Sequence, residues 1–189
     1  MEDNSIDGIV CRFSGSPTIE GCIIRNNEGV GVRVEVNGSI PTVSNCAIYG
    51  NDKGVFSVSY GDVILYNNTI VDNISYGVRC YRGGEAVISN CIIWDCNDDL
   101  DGCSATYSCI EDGDAGTGNI SSDPNFADAN NDDYRLTAGS GCIDAANGDV
   151  APSADMFGQT RIDDPGMPNT GTGDPNYVDI GAHEFDPNS

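Results

Sequence analysis

The chain has 189 residues, room for one domain, with 24 glycines and a formal charge of -22 that sets 30 acidic side chains, 23 of them aspartate, against 8 basic ones. A surface this acidic repels nucleic acid and anionic membrane, and no apolar run reaches membrane-spanning length, so neither nucleic-acid binding nor membrane insertion is expected. Nine cysteines cannot all pair within the chain, and with wide, irregular spacings and His183 as the sole histidine a Cys/His metal cage has little support.

The amino terminus, MEDNSIDGIV, is not a signal peptide, and no amphipathic helix precedes Ser5. The expectation is a mature fragment of an exported protein or a short free-standing relative. If the former, neighbouring coils of a longer parent chain would stack on its open end.

From Gly8 to Asp99 the chain repeats every 23 residues. Gly8, Gly31, Gly54 and Gly77 are each followed by an apolar residue: Ile9, Val32, Val55 and Val78. A second register runs through Cys22, Cys46, Asn68 and Cys91, with Ile24, Ile48, Ile70 and Ile93 two places on. A unit this short cannot hold strand, crossover helix and return strand, and it lacks helical periodicity, so it reads as one turn of a β-solenoid.

In each coil a first strand follows the glycine: 9–13, 32–36, 55–59 and 78–82. Alternation turns Ile9, Cys11 and Phe13 inward, then Val32, Val34 and Val36, then Val55, Ser57 and Ser59, then Val78 and Cys80; Arg82 breaks that column. The second strand carries an inward column of Ile19, Val43, Leu65 and Ile88, and Asn45, Asn67 and Asn90 mark the corner after it. Asn27, Asn51 and Asn73 mark a third corner, with Cys96 as the next member. Stacked Asn side chains at such corners can hydrogen-bond from coil to coil. Cys22 and Cys46 share a column at the spacing of paired strands, which permits either a disulfide or two stacked thiols.

This pattern over residues 5 to about 110 resembles the right-handed parallel β-helix family, which includes pectate lyases and many bacterial surface proteins. The resemblance implies an all-β, single-stranded right-handed parallel β-helix of 23-residue coils, four regular and a degenerate fifth at 105–113. After it come segments similar to the carboxy-terminal region of secreted β-helix proteins, DPxF, DYxLxxxSPxIDxG and DIGAxE. Asp123, Pro124 and Phe126 match the first; Asp133, Tyr134, Leu136, Ser140, Ile143 and Asp144 the second; Asp179, Ile180, Gly181, Ala182 and Glu184 the third. Gly141 stands where proline is usual and Ala146 where glycine is. The resemblance implies an extracellular or cell-surface location, and 111–189 is expected to form an irregular cap over the last coil. Asp144, Asp179 and Glu184 would be held there by backbone donors or by Arg161 rather than perform chemistry.

Chemistry is sought on the outward face of the first strands, where Arg33, Glu35, Phe56, Arg79 and Tyr81 gather. Arginine beside aromatic rings is the combination that grips carboxylated sugars, and it is also ordinary cross-strand packing. Two functions follow: a noncatalytic module associated with acidic polysaccharide, or a polysaccharide lyase or glycoside hydrolase acting on one. A lyase could use Arg33, Glu35 and Arg79 as base and neutralising groups; a hydrolase needs two facing carboxyls, and this face supplies only Glu35. For Ca²⁺, Asp128, Asn130 and Asp132 give the alternate-oxygen spacing of many calcium loops, and DGDAGTGN from Asp112 is a second candidate.

Overall fold

The computed structural model describes residues 1–36 and 38–188. Coil one holds β1 (Ile9–Cys11), β2 (Thr18–Glu20) and β3 (Ile23–Arg25); coil two β4 (Val30–Glu35), β5 (Thr42–Ser44) and β6 (Ala47–Tyr49); coil three β7 (Lys53–Val58), β8 (Asp62–Tyr66) and β9 (Thr69–Val71). Coil four holds β10 (Tyr76–Tyr81), β11 (Glu85–Ser89) and β12 (Ile92–Trp94), and coil five β13 (Leu100–Asp101), β14 (Ala105–Thr106) and β15 (Cys109–Ile110). Each coil gives one strand to each of three parallel sheets, ordered β1-β4-β7-β10-β13, β2-β5-β8-β11-β14 and β3-β6-β9-β12-β15. A solenoid of 23-residue coils is thus the architecture.

The sequence columns become rungs. Ile24, Ile48 and Ile70 pair in register and continue through Ile93 to Ile110, all five fully buried. The uneven steps of 24 and 22 residues are absorbed in the turns, because Ile19, Val43 and Leu65 still pair directly. The glycine column is explained by close approach: a Cβ on Gly31 would lie 2.8 Å from the Gly54 carbonyl oxygen, and one on Gly54 would lie 2.6 Å from that of Gly77. Those distances are inside van der Waals contact, so only glycine lets successive coils pair there without a shift.

Asparagine supplies the polar seam. Asn4 Nδ2 donates to Asn27 Oδ1 at 2.7 Å, Asn27 Nδ2 to Asn51 Oδ1 at 2.8 Å, and Asn51 Nδ2 to Asn73 Oδ1 at 3.1 Å. Asn73 ends the ladder on the carbonyls of Ile48 and Val71, and Cys96 occupies the next place with its thiol on the Trp94 carbonyl. Buried amides tied both ways satisfy corner carbonyls that apolar side chains would leave unpaired. All nine cysteines are free thiols. Cys22 and Cys46 therefore stack rather than bridge, and burial pushes the Cys46 thiol up to about 12, which makes it inert.

The first strands end sooner than alternation suggests. Phe13, Val36 and Ser59 do not continue the inward columns: Phe13 is 81% exposed, Val36 is 42% exposed, and all three have left-handed backbone, as Arg82 does (φ 59, 77, 56 and 50). The whole column at the first corner turns outward, Arg82 included. A period-2 reading cannot see this, because the corner is set by the backbone and not by a glycine.

The carboxy-terminal region also lies elsewhere than over the last coil alone. Residues 117–120 do cover coil five, where Ile120 donates to the Ser108 carbonyl and accepts from Ile110. The rest, including the antiparallel pair β16 (Phe126–Asp128) and β17 (Asp133–Leu136), runs along the outer face of the third sheet. There Tyr134, Leu136, Ile143, Ala146, Val178 and Ile180 bury Ala47, Tyr49, Val71, Ile92 and Cys109 from coils two to five. The Asn45, Asn67 and Asn90 corner is its docking edge: their amides donate to the carbonyls of Ala154, Asp179 and Asn147. The outer residues of β6 and β9 and Ile92 of β12 are buried, and Trp94 is half-buried, because this flank covers them.

Candidate functional site

The five residues singled out on the first strands do share one face. Arg33, Phe56 and Arg79 occupy consecutive rungs of β4, β7 and β10, between Val10 of β1 and Asp101 of β13. Two residues along, Glu35 and Tyr81 flank Val58. Asn37, the next outward position, lies outside the described residues.

Each arginine on the face is already engaged. Arg33 grips Asp7 with two bonds, Nε to Oδ2 at 2.6 Å and Nη2 to Oδ1 at 3.1 Å, and its guanidinium sits 5.5 Å from the Phe56 ring centre. Burial alone would raise the Asp7 carboxyl, but Arg33 and the Val30 N–H outweigh it and hold the group below the usual carboxylate range. Arg12 pairs with Glu35. Arg79 Nε lies 2.7 Å from Asp101 Oδ2, off the line of a hydrogen bond, and its guanidinium stacks 4.4 Å from the Tyr76 ring and 5.2 Å from Tyr81. The result is a ladder of alternating guanidinium and ring, each cation carrying its own carboxylate. Among the described residues the arginines of this face, Arg12, Arg33 and Arg79, are each paired with a carboxylate, Glu35, Asp7 and Asp101.

The two calcium-like stretches are used structurally. Asp128 closes a 3-10 turn, Ala129–Asn131, by accepting from Asn131 Nδ2 at 2.7 Å, while Asp132 faces Arg25 at 3.3 Å and Asn130 is exposed. Asp112 exchanges backbone bonds with Asp99, each carboxylate accepting the other's N–H at 3.0 and 3.2 Å. Among the described residues no group of three or more His, Cys, Asp or Glu side chains converges as a metal site.

A cavity of about 120 Å³, which strand periodicity does not reveal, opens between the third sheet and the flank, lined by Ile23, Tyr49, Tyr134, Met156 and His183 among others. Tyr134 Oη donates to Asp72 Oδ2 at 2.6 Å, and burial lowers the His183 imidazole, keeping it neutral at pH 7. Its lining is mainly apolar but includes Asp132, Asp133 and Arg135, and Phe157 stands edge-on to His183 at 5.7 Å. Residues of the DYxL and DIGAxE segments build its outer wall, so the signal was present in the sequence but only their docking places it.

Behind that wall lies a buried acidic shell: Asp144, Asp155, Asp164, Asp179 and Glu184. Asp179 accepts from the N–H groups of Asp144 and Phe185, and Asp155 from those of Phe157, Gln159 and Glu184. Glu184 accepts from the Ile162 N–H and from Arg161 Nη1 at 2.8 Å. These carboxylates fix turns.

Burial, aided by neighbouring acids, raises Asp179 well above the usual range, Asp144 to about 6, and Asp99 in coil five to about 7. A raised carboxyl binds its proton more tightly in the folded state, so its contribution to stability is complete below about pH 3.8 and is lost as pH rises through its folded value. The neutral His183 works the other way below its ordinary 6.5, but it is one group against three. The chain is therefore expected to unfold at a higher urea concentration at pH 5 than at pH 8. What the raised carboxyls fix is the sign of the difference, a higher midpoint at pH 5. Urea titrations at the two values check the sign.

No helix among the described residues is long and apolar enough to cross a membrane. No curated protein and no solved structure matches the chain. The family described as "Right handed beta helix region" matches residues 1–141, three quarters of the chain and all five coils. With coil register, buried ladders and family match in agreement, the chain belongs to the right-handed β-helix family.

Proposed function

We propose that the protein is a noncatalytic β-helix module of an extracellular or cell-surface setting that associates with acidic carbohydrate. The observation that carries this reading is the ladder of Arg33, Phe56 and Arg79: two cations on rungs two coils apart, about 10 Å, with an aromatic ring between them and each cation already matched by one carboxylate. A uronate chain lying along the solenoid axis would exchange those carboxylates for its own and set a sugar against Phe56. The exchange is close to balanced and the rest of the surface opposes a polyanion, so the affinity is modest. A lyase or hydrolase is the less favoured reading, because among the described residues each arginine of this face is already paired with a carboxylate.

Calorimetric titration of polygalacturonate and alginate oligomers, with and without Ca²⁺, tests the reading. The expected outcome is weak, salt-sensitive binding that falls at least about tenfold, a loss of about 1.4 kcal/mol, in Arg33→Ala combined with Arg79→Ala. Binding unaffected by that pair, or none at all, would overturn the charged-face assignment.

A further inference from the structure

Cys80 and Cys103 stand apart from the other thiols in how coil five places them. The register between β10 and β13 pairs Val78 with Leu100 and Arg79 with Asp101, a step of 22 residues, so its continuation sets Cys80 against Gly102. Cys103 comes one place later. In a regular strand it would face away from Cys80, on the other side of the sheet. Gly102 prevents that: its φ of 73 turns the chain, and a Cβ there would lie 2.5 Å from the Cys80 carbonyl oxygen. Cys103 therefore packs against the coil core, and its Sγ crosses to coil four, 3.6 Å from the Val78 carbonyl oxygen.

This is the placement of a dithiol ready to close. A rung of about 4.8 Å and a rise of about 3.3 Å put the two Cα atoms about 6 Å apart on the diagonal, near the middle of the range a disulfide spans. The Cys103 thiol donates to the Cys80 sulfur, and that bond lowers the Cys80 thiol below its usual range against the opposing effects of burial, Glu85 and Asp101. A lowered thiol supplies the thiolate that disulfide exchange needs. Access is present as well, because Cys103 is half-buried and lines an opening with Glu85, Ala86, Gly102 and Ser104. Cys22 and Cys46 form the contrast. They lie directly opposite on parallel strands, each thiol turned at 3.2 Å to the carbonyl two residues back, that of Glu20 or Ser44, and burial raises Cys46.

We infer that Cys80 and Cys103 are a modification site, a redox-active thiol pair that a small-molecule disulfide oxidises to a bridge between coils four and five. A thiolate of the pair attacks one sulfur of the disulfide RSSR; a protein–sulfur bond forms as the S–S bond breaks, and one RS⁻ leaves. The second protein sulfur then displaces the other RS⁻. The two thiol protons end on two RSH, so the pair loses two electrons and the added disulfide gains two. The bridge ties the shortened last coil to its neighbour. Neither the charged face nor a glycan enters this chemistry, so it stands or falls apart from the proposed function.

The test starts from the folded, fully reduced chain in oxidised glutathione, followed by unfolding, alkylation of the remaining thiols and peptide mass mapping. The expected result is the loss of two of the nine thiols and one linked peptide pair, Cys80 with Cys103. Dithiothreitol should reverse it, and Cys103→Ser should abolish it. Hydrogen exchange over 100–110 should slow at least about threefold in the bridged form, because coil five no longer frays apart from coil four. The map of the unsubstituted chain decides the matter even if the serine variant folds poorly. All nine thiols still open to alkylation, a bridge that forms only in urea, or linkage of Cys22 with Cys46 or Cys109 with Cys142 in its place would overturn the assignment. Glutathione retained on either sulfur without the closing step would overturn it too.

Discussion

Replacing Arg161 by methionine is expected to lower stability by about 3 to 5 kcal/mol, the usual cost of leaving a buried charge without its partner. The Arg161 side chain is 5% exposed and Glu184 not at all. Its guanidinium also donates to the carbonyls of Pro152 and Ala154 and reaches Asn45 Oδ1 at 3.5 Å, so one side chain joins the acidic shell, the flank and the corner of coil two. Methionine keeps the apolar stem and removes every one of those bonds. In Glu184→Gln the amide oxygen can still accept from Ile162, but the buried Arg161 guanidinium, which cannot give up its proton, loses its carboxylate, so a comparable loss is expected. Urea midpoints measure both losses, and hydrogen exchange locates the damage: faster exchange confined to 150–185 is the expected pattern, with coils one to four still protected. A loss under about 1 kcal/mol in both variants would mean that the ion pair is not what holds the flank.

Ile70→Ala is expected to cost about 2 to 5 kcal/mol through lost transfer energy and the cavity left behind. Ile70 is fully buried between Ile48 and Ile93, and the tight contact of Gly54 with its Cγ2 and with the Gly77 carbonyl keeps the neighbouring coils from closing in. Val87→Ala, on the solvent face of β11 and 56% exposed, is the matched control and should change stability by no more than about 0.5 kcal/mol. An unchanged urea midpoint for Ile70→Ala would contradict the buried isoleucine ladder.

The repeat disclosed what is periodic. Isoleucine, glycine and asparagine recur because coil stacking makes the same demand at the same place every turn, so Ile24 to Ile93, Gly8 to Gly77 and Asn27 to Asn73 could be read directly. Phe13 and Val36 could not, since apolar side chains in strand register look inward until a left-handed backbone, invisible to periodicity, turns them out. The flank was half legible. Its motifs and the anchoring of Asp144, Asp179 and Glu184 by backbone donors and Arg161 were readable, while its position along coils two to five was not. That position depends on the outer residues of a sheet whose strands, such as Ala47–Tyr49, are buried on both sides and so lose the alternation that would have flagged a covered face. On the charged face, alternation placed Arg33, Phe56 and Arg79 together. It could not supply Asp7 or Asp101, which come from the turn before β1 and from the shortened fifth coil.

Prolonged incubation of the protein with polygalacturonate and alginate in Ca²⁺, followed by ultraviolet absorbance for unsaturated ends and by a reducing-end assay, tests the noncatalytic reading most directly. The account predicts that neither signal rises above that of the polymer alone at any protein concentration. Product that accumulates in proportion to protein and disappears in Arg33→Ala would contradict it and assign the ladder to catalysis.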